Sequence, residues 1–244
     1  MREKDLNTLA IPLSNSQIEA ASKFWQDGGW EAKELTQLKQ VFPKSEDAVK
    51  LKAVALNTLY GTNIIAISRV AECLERMLNA NHSTGYDLVE ELVAAIKNIT
   101  NRRHYSFAAK FGHFFINPEL PILDKYAEWM VAKHLGSAQS NNPKRYLKFA
   151  EDIERLKELT GLNCDCAQLD AYLWVAGEYW CWKKDPKLKI STELKRNFER
   201  LEQNPENEHA LGKLLERERL AALFLPKENA DKLLKEIAAR RMKP

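Results

Sequence analysis

The sequence is poor in the residues that punctuate sheets and cross-link secreted domains. It has nine glycines, nine prolines and four cysteines in 244 residues. No apolar run comes near the roughly 18–20 residues that span a bilayer. The opening Met1-Arg2-Glu3-Lys4-Asp5-Leu6 lacks the apolar stretch of a secretory signal. Cys73, Cys164, Cys166 and Cys181 include one C-x-C pair and no second pair to complete a zinc site, so they read as free thiols of a reducing compartment. The expected location is inside a cell, in the cytoplasm or nucleoid. Catalytic signatures are missing too. There is no G-x-x-x-x-G-K-S/T loop, G-x-G-x-x-G, H-E-x-x-H or G-x-S-x-G, and no two of the five histidines stand at helical spacing. A nucleotide-phosphate cradle, a zinc hydrolase and a serine hydrolase therefore lack sequence support.

What is present is a chain that can bury a core. Apolar residues make up 45% and charged residues 29%, which excludes a disordered or collagen-like polymer. Apolar positions recur at helical spacing almost throughout, and no period-2 strand run stands out. Residues 16–40 form an amphipathic stretch interrupted at Asp27-Gly28-Gly29. Residues 46–60 carry Val49, Leu51, Val54, Leu56 and Leu59. Thr62 or Asn63 is placed to cap a helix bearing Ile64, Ile67, Val70 and Leu74, and Ser83 and Thr84 precede another. Tyr105 to Ile116 reads as a short buried aromatic helix, broken by Asn117-Pro118 and Pro121. Further helices are expected from Asp124 to Leu135, after the loop from Gly136 to Pro143 as far as Thr160, and over 165–183.

After Asp185-Pro186 the apolar stripes narrow, and Pro205 and Pro226 divide three charged helical pieces. The expected architecture is all-α, with a multi-helix domain over 1–185 and a charged helical extension over 186–244. The net charge of +3 is uneven, because Lys97 to Lys148 holds nine basic residues against three acids, or +6, leaving −3 elsewhere. Such a local basic excess suits a polyphosphate partner.

The segment 102–127 is the most informative. Lys110 stands between Phe107-Ala-Ala and Phe111-Gly, with Phe107 and Phe114 one turn away. Desolvation on such a surface favours a neutral, nucleophilic amine. Asp124 follows at a helix start after Pro121-Ile-Leu. Each residue has an ordinary structural role as well. A lysine can lay its methylenes on the core and keep its amine in water, and an aspartate can cap a helix.

A lysine at the start of a buried helix, a short loop, and Pro-x-Asp or, as here, Pro-x-x-Asp opening the next helix resembles the core of helix-hairpin-helix DNA glycosylases, the 8-oxoguanine DNA glycosylase group above all. The resemblance implies that Lys110 attacks the sugar C1′ of a damaged nucleotide and that Asp124 supports the developing positive charge. A later match is Ala171-Tyr172-Leu173-Trp174, similar to the family's A-V-L-F-type pattern. It implies that Trp174 and Phe114 hold a flipped purine and that Asp170 reads its edge. The family's L-P-G-x-G hairpin is absent. Asn101-Arg102-Arg103-His104-Tyr105 stands there, and Arg102, Arg103 and His104 either meet DNA phosphates in its place or form a solvated basic turn.

The resemblance thus implies a glycosylase with lyase activity on a damaged or modified purine in duplex DNA, needing no metal or cofactor and no membrane. Two other readings are a non-catalytic nucleic-acid-binding protein and a helical interaction protein in which Lys110 and Asp124 merely form a buried pair. The aromatic run Tyr179-Trp180-Cys181-Trp182 serves either to stack on nucleic acid or to seal a core.

Overall fold

The computed structural model of the chain describes residues 13–27, 37, 46–79, 83–137, 144–188, 190–203, 210–217, 221, 225 and 227–241. The described residues are all-α. They form α1 (Asn15–Asp27), α2 (Glu46–Leu59), α3 (Ile67–Asn79), α4 (Asp87–Thr100), α5 (Tyr105–Phe115) and α6 (Lys125–Leu135). Then follow α7 (Arg145–Thr160), α8 (Cys166–Lys184), α9 (Thr192–Gln203), α10 (Ala210–Leu215) and α11 (Lys227–Arg241). Gly28, Gly29, Pro205 and Pro226, read above as breaks, lie outside the described residues. Among those residues no helix is long and apolar enough to cross a membrane.

The chain divides into two compact units. One comprises Met1–Asp27, Tyr126–Gln139 and Asp152–Pro244, and the other Gly28–Lys125 and Ser140–Glu151. In the second unit α2 packs on α3 and α5, α3 on α4, and α4 on α5. Its core is made by Leu56, Val70, Leu74, Leu88, Leu92, Ile96, Phe107 and Phe111, all nearly inaccessible to solvent. Glu90 ties this unit together from α4. Its carboxylate accepts the Tyr146 and Leu147 N–H groups at 2.8 and 3.3 Å and the Tyr105 hydroxyl at 3.3 Å. The two N–H groups are orphan donors at the start of α7, so a side chain 56 positions away serves as its cap.

Two details differ from the sequence expectation. The helix expected to begin at Thr62 or Asn63 begins at Ile67. The side chains of Asn57, Thr62 and Asn63 are spent inside the turn instead. The Thr62 hydroxyl and the Ile64 N–H both donate to Asn57 Oδ1, each at 2.8 Å, and Asn57 Nδ2 donates to Ile64 O. α2 ends in a Schellman motif, with Gly61 at φ +54° and the Thr62 N–H reaching Asn57 O. The buried face of α2 also departs from the hydrophobic pattern. Ala48, Lys52, Ala53 and Leu56 face inward, whereas Leu51 and Val54 are exposed. Lys52 is tolerated there because its ammonium lies over the Phe115 ring, 5.5 Å from the centroid.

In the first unit α1 packs on α8 and α10, and α10 on α8. Asp165 and Gln168 start α8 with a reciprocal capping box. Gly177, in the middle of α8, lets the helix approach Tyr126 closely. A Cβ built there would meet Tyr126 Cβ at 2.8 Å and its carbonyl oxygen at 3.0 Å. The aromatic run seals a core: Tyr179 and Trp182 are buried and pack against Phe198 of α9. Glu202 at the end of α9 takes hydrogen bonds from Tyr179, Lys183 and Arg217. Burial pushes its carboxyl up, but the bonds from Lys183, Tyr179 and Arg217 prevail and hold it at about 2. Burial, then the bond to Glu202, raises the Tyr179 hydroxyl above its ordinary range.

Two outcomes follow from the first unit. Gly177→Ala is expected to destabilise by about 1–3 kcal/mol through overpacking, exceeding the roughly 1 kcal/mol that alanine gains over glycine in a helix. Urea unfolding measures the sign. Because Glu202 has a lowered folded value, its stabilisation is present above its ordinary 4.5 and is lost as pH falls toward about 2. Glu202→Gln should therefore lower the melting temperature at pH 7 and flatten its fall over that acid window.

Candidate active site

The site is built on α5 and on the return loop before α6. Every residue of α5 from Tyr105 to His113 is buried except Ser106. Lys110 is thus an ammonium carried by an apolar helix, and its position demands partners close by. Pro118 and Pro121 keep the chain from continuing as helix. Leu120, Ile122 and Leu123 are buried and pin the loop. His113 Nδ1 donates to Leu120 O at 2.9 Å, and the Tyr146 hydroxyl donates to Pro121 O at 2.9 Å. Both contacts fix where the loop ends, and at its end stands Asp124, just before α6.

The loop delivers Asp124 to Lys110. Lys110 Nζ donates to Asp124 Oδ2 at 3.2 Å, with side-chain exposures of 7% and 11%. One turn earlier on α5, Ser106 Oγ accepts a second bond at 3.0 Å. The face of the Tyr60 ring lies 5.3 Å from Nζ, measured to its centroid. Tyr60 in turn meets Phe114, with centroids 5.8 Å apart. The nitrogen therefore sits among a carboxylate, a hydroxyl and an aromatic face. Chemically this is an amine beside a group that can take its proton and return it.

The sequence-predicted residues divide between the two units. Lys110, Asp124, Phe114, Arg102, Arg103 and His104 belong to the unit containing Gly28–Lys125. Asp170 and Trp174 belong to the other, one turn apart on α8. Trp174 makes an edge contact with Trp25 of α1, centroids 5.1 Å apart at 88°. The turn that replaces the hairpin is shaped by Asn101 at φ 57° and by the Thr100 hydroxyl, which accepts the Arg102 N–H. Arg102 and Arg103 are exposed. Burial, and then the charge of Arg102, lowers His104 from 6.5, so His104 is neutral at pH 7 and the positive charge of the turn resides on the arginines.

Sequence reasoning missed Tyr60, Ser106 and Trp25. Ser106 was within reach, because it precedes Lys110 by four residues and so lies on the same helix face. Tyr60 and Trp25 arrive by tertiary packing and leave no local signal.

A family model described as an N-terminal domain matches residues 17–120, less than half of the 244 residues. The match takes in Tyr60, Ser106, Lys110 and Phe114 and stops before Asp124. No curated protein and no solved structure gives a match.

A double-mutant cycle tests the pair as an energetic unit. Asp124→Leu leaves the ammonium buried without its counter-charge and is expected to cost about 3–5 kcal/mol. Lys110→Met combined with Asp124→Leu should recover much of that loss. Urea unfolding of the four proteins reads the coupling, and a coupling under about 0.5 kcal/mol contradicts the pair.

Proposed function

We propose that the chain is a DNA glycosylase with lyase activity, acting on a damaged or modified purine, with Lys110 as the nucleophile. The observation that carries the reading is the 3.2 Å contact between Lys110 Nζ and Asp124 in a largely buried setting. Two residues 14 positions apart, with the types and order this chemistry uses, occupy one site. After giving a proton to Asp124 the amine attacks C1′, and the base leaves with the bonding electrons and takes up that proton. The carboxylate so restored balances the positive charge left on the substituted nitrogen. The aromatic neighbours Tyr60 and Phe114 supply an apolar wall beside the reacting nitrogen. Arg102 and Arg103, exposed on the turn before α5, meet the phosphates.

A second reading is favoured by the completeness of the pairing. An ammonium that already donates to a carboxylate and a hydroxyl also serves as a structural tie in a helical interaction protein. Borohydride trapping separates the two. The protein is incubated with duplexes carrying an abasic site or 8-oxoguanine, borohydride is added, and Lys110→Gln is run beside it after its fold is checked by circular dichroism. The glycosylase reading expects a covalent adduct with the parent chain and none with the variant. DNA binding without an adduct on any duplex overturns the lyase and leaves a nucleic-acid-binding protein. Neither adduct nor binding leaves the interaction protein.

A further inference from the structure

Tyr60 is more than an apolar wall, because the turn that carries it is firmly held. The Schellman motif at the end of α2 and the two bonds accepted by Asn57 Oδ1 fix the backbone on either side of it. The result is that a ring from a distant turn presents its face to the Lys110 nitrogen at 5.3 Å and lies beside Phe114, centroids 5.8 Å apart. An aromatic face attracts a cation through its quadrupole, and the attraction grows when water is excluded.

We propose that Tyr60 is the positioning residue of the Lys110 site and that its ring face holds the cationic nitrogen of the protein–sugar iminium. The inference rests on the Schiff-base reading and adds the group that stabilises its intermediate. Lys110 first gives one proton to Asp124. Its neutral amine adds to the aldehyde carbon of a ring-opened abasic sugar, forming a C–N bond and a carbinolamine. The carbinolamine hydroxyl departs as water with the proton held by Asp124, which restores the carboxylate and leaves an iminium. The same nitrogen is positive at the start of the step, as ammonium, neutral as amine and carbinolamine, and positive again as iminium. The ammonium also donates to Asp124 and Ser106, whereas the iminium keeps a single N–H, so the ring face of Tyr60 carries a larger share of the charge at the iminium end.

The test replaces Tyr60 with phenylalanine and then with mono-, di- and trifluorinated phenylalanine, which keep the shape of the ring but progressively remove negative charge from its face. The rate of borohydride trapping on an abasic duplex is read for each, together with the melting temperature. We expect Tyr60→Phe to trap at a rate near that of the parent and each added fluorine to slow trapping. Loss of the whole ring face, in Tyr60→Leu, should slow it by about 2- to 30-fold. Melting temperatures should fall only slightly across the fluorinated series, because the ring keeps its shape and Asp124 and Ser106 still hold the ammonium. Trapping that proceeds equally well across the fluorinated series overturns the role of Tyr60 and leaves the lyase reading intact. Absence of any adduct with the parent chain overturns both.

Discussion

An ammonium inside an apolar helix is the constraint around which the second unit is arranged. Lys110 lies on α5 with buried residues on both sides, and its charge stays there only if acceptors are brought to it. The chain answers with three groups. The return loop carries Asp124, the preceding turn of α5 carries Ser106, and the turn after α2 carries Tyr60. Each is held by contacts that do not involve Lys110, namely the Tyr146–Pro121 bond, the helix backbone and the Asn57 turn. A charge placed this way is pre-organised, which serves a nucleophile as well as it serves a tie.

The first unit handles its charges differently. Glu202 gathers Tyr179, Lys183 and Arg217 at the end of α9, where solvent still reaches the cluster. The carboxyl is strongly acidified because its hydrogen-bond donors outweigh its burial. Such a cluster ties helices together at neutral pH and yields only in strong acid. In α5 the pair is more deeply buried, and loss of one partner leaves a charge with little access to water.

Much of the fold was legible because helix periodicity and breakers are local properties. Asn117-Pro118, Pro121 and Gly161 mark real ends, and α8 starts at Cys166, within one residue of the expected position. The inner face of α2 was not legible. Hydropathy favours Leu51 and Val54, whereas the structure turns Lys52 inward because Phe115 waits there to receive its ammonium. The start of α3 was misplaced for a similar reason: Asn57 captures Thr62 and Ile64 before they can open a helix. For the candidate site, Lys110 and Asp124 stood out by residue type and spacing. Tyr60 did not, since a ring contact between the end of α2 and an α5 lysine depends on the packing of the two helices.

The most direct measurement is peptide mapping of the borohydride-reduced adduct by mass spectrometry. The account predicts a single modified residue, with the mass of the reduced sugar fragment on Lys110. Modification of the amino terminus or of another lysine, with Lys110 unmodified, contradicts it.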